Sequence, residues 1–381
     1  MLSDTQLGLL TGTVFAMFYV TLGIPIARFA DQSNRKNIIA ICLTLWSGLT
    51  ALTGMATNFV QLVLARIGVG IGEAGCSPQS HAIISDYYPL EKRATALSIY
   101  SLGINIGLFI GGFGGGFINQ YYGWRTAFIA MGIPGILLAI VLYFTVKEPV
   151  RGASDAFQRP TETQSLEQVL QYLYSKRSFV YLALGTGFTA FVLYGVGNWM
   201  ASFFSRYHGV SPQSVGIINA LMYGIGGGIG TFAGGYLGDR LGKVAKKWYM
   251  WIPMIGVLGS IPLSLIAIFT PHIEVAVAFF FLSFVFSYAY LGPSIAVAHS
   301  LVPAQMRAAT SSVLFFVLNF IGLGIGPIIV GMLSDALVPS MGADSLRYAL
   351  ISTVIAGLIG GLCYLIAGKT LDKDLKVKTA D

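Results

Sequence analysis

The sequence predicts an all-α integral membrane protein assembled from two copies of one helical unit. Three observations carry that expectation. Hydrophobic residues make up 55% of the 381 residues and charged residues only 10%, with a mean hydropathy of +0.72. Soluble domains carry roughly 25% charged residues. Eleven stretches stay apolar for about 20 residues, the length that crosses a hydrocarbon core of about 30 Å. Finally, two motifs recur between the halves of the chain.

The spans lie near 6–27, 37–57, 59–85, 94–118, 125–146, 179–204, 213–237, 248–270, 273–301, 308–334 and 346–367. Charges, prolines or turn residues part them at Arg28 to Lys36, Thr57–Asn58, Tyr88 to Arg93, Asn119 to Gly123, Lys147 to Arg177, Arg206 to Pro212 and Arg240 to Lys247. Ahead of the first span, Ser3, Asp4 and Gln6 supply no basic n-region and no small-residue cleavage site, so a cleavable signal peptide is not expected. Nineteen of the 23 Lys and Arg fall in alternate loops or the C-terminal tail. Arg125, Arg206 and Arg347 lie on the other side and Arg66 lies inside a span. The asymmetry puts 147–177 and the C-terminus in the cytoplasm and suits a plasma or bacterial inner membrane. It also accounts for the net charge of +7 without nucleic acid, because the basic residues are scattered over short loops.

The first half repeats in the second. Ala27, Arg28, Phe29, Ala30 and Asp31, followed by Arg35 and Lys36, parallel Gly235, Tyr236, Leu237, Gly238 and Asp239, followed by Arg240 and Lys243. Pro89, Arg93, Ser98 and Asn105 recur 214 residues later as Pro303, Arg307, Ser312 and Asn319. Two pseudo-symmetric six-helix bundles follow. One complete span, 179–204, precedes the repeat turn of the second copy, whereas the first copy has room for only one span before Ala27. The chain therefore reads as carrying eleven of twelve spans, the first copy's leading helix being absent; a genuine eleven-span protein is the alternative. The expected organisation is an N-terminal bundle over 1–146, a linker over 147–178, a C-terminal bundle over 179–368 and a tail over 369–381. Leu166, Val169, Leu170 and Leu173 in the linker are spaced like a short amphipathic helix.

The charged residues inside span three are the strongest local signal of function. Arg66 and Glu73 are seven positions apart, two helical turns, so they share a face about 10 Å apart along the axis. A charge at that depth costs at least about 2.5 to 3.5 kcal/mol, so it must meet water or a partner. Gly70 and Ser77 continue the face, with Ser80 and His81 slightly off axis, and the stripe is expected to point inward. Arg66 can attract an anionic head group, and Glu73 can carry a proton or pair with Arg66. The competing reading is an ion pair that only pins helices together. Asn105, Tyr194, Asn198, Tyr290 and Asn319 are further candidates to line a cavity. Ser283, Ser287, Tyr290 and Ser294 form a hydroxyl stripe, while no ionised side chain lies mid-span in the second half. Gly103, Gly107 and Gly111 repeat at four-residue spacing and predict a groove where another helix packs closely.

No enzyme chemistry is expected. Cys42, Cys76 and Cys363 lie in apolar runs without a C-x-x-C spacing, and His81, His208, His272 and His299 are dispersed, so neither a metal site nor a cofactor is indicated. A Gly-x-x-x-x-Gly-Lys-Ser/Thr loop for ATP is also lacking.

The turn Ala27 to Lys36, its closer copy Gly235 to Lys243, Arg66-x-x-x-Gly70-x-Gly72-Glu73 and the Gly103 to Gly112 run resemble the major facilitator superfamily. The first turn departs from the family pattern at its first Gly, its Arg and its second Gly, and Leu108 stands where the antiporter signature has Pro. Ser3 to Gly8, Arg66 to Ala74 and Asp86 to Pro89 look like the spinster group, whose members are associated with lysolipids and phosphorylated sphingoid bases. The resemblance implies a major facilitator fold and alternating access between two bundles. Asp31, Arg35, Lys36, Asp86, Arg93, Asp239, Arg240 and Arg307 would form a cytoplasmic gate that exchanges ion pairs as the bundles rock. Substrate or proton coupling would fall to Arg66 and Glu73. The expected cargo is an anionic amphiphile moved with proton coupling, with membrane lipids and protons as partners and no obligate protein partner. Alternatives are a proton-linked exporter of drug-like or metabolite amphiphiles, and an uncoupled lipid scramblase.

Overall fold

The computed structural model describes residues 2–31, 33–88, 90–150, 166–303 and 306–377. Its elements are helical throughout. In chain order they are α1 (Asp4–Gly8), α2 (Val14–Asp31), α3 (Arg35–Thr53), α4 (Phe59–Ala74), α5 (Ser77–Tyr87), α6 (Leu90–Thr145), α7 (Leu166–Ser175), α8 (Arg177–Gly197) and α9 (Met200–His208). There follow α10 (Pro212–Asn219), α11 (Gly227–Gly242), α12 (Trp248–Phe269), α13 (Ile273–Tyr288), α14 (Leu291–Ser300), α15 (Arg307–Leu318), α16 (Gly326–Met341), α17 (Ser345–Ala349) and α18 (Ser352–Val377). Three π-helical segments, Leu9–Thr13, Ala220–Gly226 and Asn319–Ile325, join α1 to α2, α10 to α11 and α15 to α16.

Among the described residues, four helix starts carry side-chain caps. Ser3 and Gln6 form a reciprocal capping box at α1, and Asn34, Asn58 and Ser211 accept from the backbone N–H groups of Asn37, Gln61 and Ser214. Each satisfies a donor that the helix itself leaves orphaned. Among the described residues nine helical stretches are long and apolar enough to span a bilayer, against the eleven expected. Two of them explain the difference. Ile106–Thr145 has 40 residues and Ala309–Leu375 has 67, each long enough at about 1.5 Å per residue to cross about 30 Å twice. Glycines turn the chain inside both: Gly123 at φ +80° and Gly342 at φ +54°. That half of backbone space is open to glycine because it has no Cβ.

The chain divides into two compact units. Unit 1 comprises Met1–Gly12, Thr161–Gly209 and Leu221–Asp381, and unit 2 comprises Thr13–Pro160 and Val210–Ala220. Two helices thus change unit along their length, α1–α2 and α10–α11, each at a π-helical segment.

Small residues set the packing of unit 2, as expected where lipid removes the hydrophobic drive between helices. A Cβ on Gly70 would meet the backbone of Phe15 at 2.9 Å, and one on Gly132 would meet the backbone nitrogen of Ala51 at 2.7 Å. The predicted glycine groove is corrected in register. Around Gly103, Gly107 and Gly111 there is open space; it is Gly112 and Gly116 that lie backbone to backbone against Gly216 of α10. The partner sets the register: α10 presents Gly216 to the 112/116 face.

In unit 1, α8 is the most enclosed helix. Trp199, Phe203 and Phe204 are buried, and both phenylalanines meet Phe280 edge-on at 5.5 and 6.0 Å. The indole nitrogen of Trp199 donates to the Pro327 carbonyl at 3.0 Å. Helix α7 forms where the amphipathic spacing predicted it, and it packs Val169 and Leu173 into the protein while Leu170 and Tyr174 stay exposed.

Candidate substrate and coupling site

Arg66 and Glu73 both lie on α4 of unit 2, and both are half-buried. Among the described residues neither joins an ion pair. Gly70 between them is pressed onto Phe15 and Tyr19 of α2, so this part of the stripe is a helix contact rather than a cavity wall. The stripe is also interrupted after Glu73, where α4 ends at Gly75 and Pro78 opens α5. Ser77 is half-buried beyond that break. Reasoning from spacing missed Gln79, which is buried with no partner for its amide nitrogen among the described residues. An unpaired buried donor costs about 1 to 3 kcal/mol. The side chain of Asn105 lies outside the described residues.

Asn198 donates to the Tyr194 carbonyl one turn back at 2.9 Å, and Tyr290 is buried. Tyr194 lies against Gly322 of the π-helical segment that Asn319 begins. The hydroxyl stripe proves to be helix packing: Ser283 pairs with Ser264 at 2.7 Å, and Ser294 meets the Tyr364 hydroxyl at 3.3 Å. Tyr364 in turn donates to Thr186 at 3.3 Å. A buried hydroxyl needs a partner, and neighbouring helices supply it before any cavity can.

The charged turns show their connections within each unit. Arg35 is 5% exposed and ties three elements together. Its Nη1 binds Asp86 at 2.7 Å and its Nε binds Glu148 at 2.8 Å. Glu148 also accepts from the Lys36 backbone N–H at 2.8 Å, and the Lys36 ammonium lies 4.7 Å from the Tyr143 ring centre. Asp239 accepts from the Tyr249 hydroxyl at 3.0 Å, and Arg240 donates to the Tyr236 hydroxyl at 3.5 Å. The side chains of Asp31, Arg93 and Arg307 lie outside the described residues. Glu148 was missed because it sits in a loop far from Arg35 in sequence, with only its place directly after a span to mark it. The three arginines off the basic side all have protein partners: Arg125 the Ala56 carbonyl, Arg206 Asp4, and Arg347 the Ile268 carbonyl and Asp344.

A many-span helical protein in two units, with Arg66 and Glu73 on a helix tightened by glycine, has the build of a membrane transport protein. The sequence profile of the Major Facilitator Superfamily matches residues 1–327 and 182–380, and the chain belongs to that superfamily, in its spinster-like branch. A Mycolicibacterium smegmatis protein named as an MFS-type efflux pump is 34% identical over 98% of this chain and 86% of its own length. Protein spinster homolog 3 of Danio rerio is 27% identical over 98% of this chain and 80% of its own. The crystal structure of a bacterial homolog of the human lysosomal transporter Spinster superposes with a TM-score of 0.88 at 35% identity, covering 98% of this chain and 91% of that one.

Proposed function

We propose that this protein is a secondary active transporter that works by alternating access and moves an anionic amphiphile, of the lysophospholipid or sphingoid-phosphate kind, with proton coupling. One observation carries the reading: Arg66 and Glu73 stand half-buried in a membrane helix, with no ion-pair partner among the described residues. A cation there attracts a phosphate, and a carboxylate two turns away can take up a proton. Aromatic and hydroxyl side chains around Tyr194 and Tyr290 give unit 1 the less charged interior that suits an acyl tail. The Arg35–Asp86–Glu148 cluster and Asp239 then serve as cytoplasmic gate residues. The basic loops and the C-terminus face the cytoplasm, in a plasma or bacterial inner membrane.

The relative named as an efflux pump supports a second reading, a proton-linked exporter of drug-like amphiphiles. Reconstituted flux separates the two. Lysolipid movement into proteoliposomes should rise with an imposed pH gradient and fall about 10- to 150-fold in Arg66→Ala, the loss of one charged hydrogen bond worth about 1.5 to 3 kcal/mol. Lipid flux untouched by Arg66→Ala beside pH-driven drug efflux selects the exporter. Flux insensitive to any ion gradient selects a scramblase.

A further inference from the structure

Helices α11 and α13 of unit 1 close on each other at one end and part at the other. Toward the basic loops glycine joins them: a Cβ on Gly230 would press on the Val285 carbonyl, and one on Gly234 on the Ala289 carbonyl. Toward the opposite end α11 is preceded by the π-helical segment Ala220–Gly226. There Leu221 and Met222 carry bulk that glycine does not, and the close approach ends. The gap is an open groove of about 680 Å³, inside the range of about 300 to 1,000 Å³ that small-molecule sites occupy. Seven of its eight lining residues are apolar, and the eighth is Glu274. Val277 and Phe281 line it from α13 opposite Leu221 and Met222. Glu274, Ala278 and Leu282 recur at four-residue spacing, so the groove follows one face of α13 for about 12 Å, most of the half-depth of a hydrocarbon core about 30 Å thick.

Glu274 lies in the first turn of α13, at the end of the groove away from the basic loops, and it is exposed. Among the described residues it joins no ion pair or hydrogen bond. The other described carboxylates at this end of unit 1 are taken: Asp4 by Arg206, Asp344 by Arg347, and Asp335 by the backbone N–H groups of Asp4 and Thr5. A free carboxylate at the mouth of an apolar groove fits a ligand with a cation at one end and a hydrocarbon chain at the other, and it repels a head group that is only anionic. A primary ammonium suits it better than a quaternary one, because N–H groups add charge-assisted hydrogen bonds that methyl groups cannot give.

We propose that this groove is the site of a resident phospholipid with a primary ammonium head group, one acyl chain lying along α13 and the ammonium on the Glu274 carboxylate. None of the lining residues belongs to the proposed cargo site, so the inference stands apart from the transport reading. The test uses the full chain in phosphatidylcholine liposomes that carry a trace of either phosphatidylethanolamine or phosphatidylcholine with a photoactivatable diazirine in the acyl chain. After irradiation the labelled residues are mapped by peptide mass spectrometry. Labelling of Val277 and Phe281 is divided by that of Leu362 on α18, an exposed residue outside the groove. In the parent the ethanolamine lipid should exceed the choline lipid about three- to fivefold, the size of one partly solvated ion pair. Glu274→Gln should bring the two lipids level, and Ala278→Trp, which fills the groove, should lower labelling by both. Unchanged labelling of Leu362 checks that each variant keeps its fold. Equal labelling by the two lipids in the parent makes the groove an ordinary apolar surface and overturns the proposal, as does a preference that survives in Glu274→Gln. Labelling of Leu362 with none in the groove assigns the groove to another protein copy and overturns it as well.

Discussion

Replacing Arg35 by Ala should destabilise the protein by about 3 to 5 kcal/mol, the range for breaking a buried ion pair by removing one partner. The structure gives an independent route to that number. Arg35 contributes two charge-assisted hydrogen bonds, at 2.7 Å to Asp86 and 2.8 Å to Glu148, from a side chain only 6% exposed. At about 1.5 to 3 kcal/mol each they total about 3 to 6 kcal/mol. Its contact with the Pro149 carbonyl, at 3.4 Å, is too long to add much. Glu148 keeps the Lys36 backbone N–H after the substitution, which places the outcome toward the lower end. Arg35→Lys should recover about half, since a single ammonium cannot serve two carboxylates that the guanidinium reaches through separate nitrogens. The assay is reversible unfolding of purified protein in mixed micelles, read by tryptophan fluorescence. A double-mutant cycle with Glu148→Gln should give a coupling of about 1 to 3 kcal/mol. Arg35→Ala within about 0.5 kcal/mol of the parent, the level of an ordinary surface change, would refute the assignment of Arg35 as the hub of this turn.

The glycine register supplies a matched pair of tests. Gly216→Leu should cost about 1 to 3 kcal/mol by overpacking against Gly112 and Gly116, whereas Gly107→Ala, with open space around it, should be neutral or stabilising by up to about 1 kcal/mol; unfolding in the same micelles ranks them. Tyr364→Phe removes a hydroxyl shared with Thr186 and Ser294, and a loss of about 0.5 to 1.5 kcal/mol is expected in that assay, with a larger loss pointing to a wider network.

How far the site could be read from sequence differs from residue to residue. Arg66 and Glu73 were visible because a charge in an apolar run is conspicuous whatever surrounds it. Arg35 and Asp86 were visible as members of charged turns, and the structure joins them. Glu148 was not, because nothing in a loop residue's neighbours records that it will meet an arginine 113 positions away. The hydroxyls of Ser283 and Ser294 were visible as part of a stripe, but period alone cannot say whether a polar face meets another helix or water. The glycine run was recognised but misplaced by one residue, about 100° of helix rotation, because only the partner's glycine decides which face closes.

Chain composition and periodicity alone determined that this protein crosses the membrane many times, that its halves repeat, and that one helix carries a cation and a carboxylate within the bilayer. These are local properties: in hydrocarbon each backbone donor and acceptor must be satisfied within its own helix, so every span announces itself. Tertiary structure alone decided which charges pair, which glycines touch and where two helices pass from one unit to the other. Those outcomes depend on side chains brought together from distant positions, where the energy lies in fit and in completed hydrogen bonds between helices rather than in any pattern along one of them.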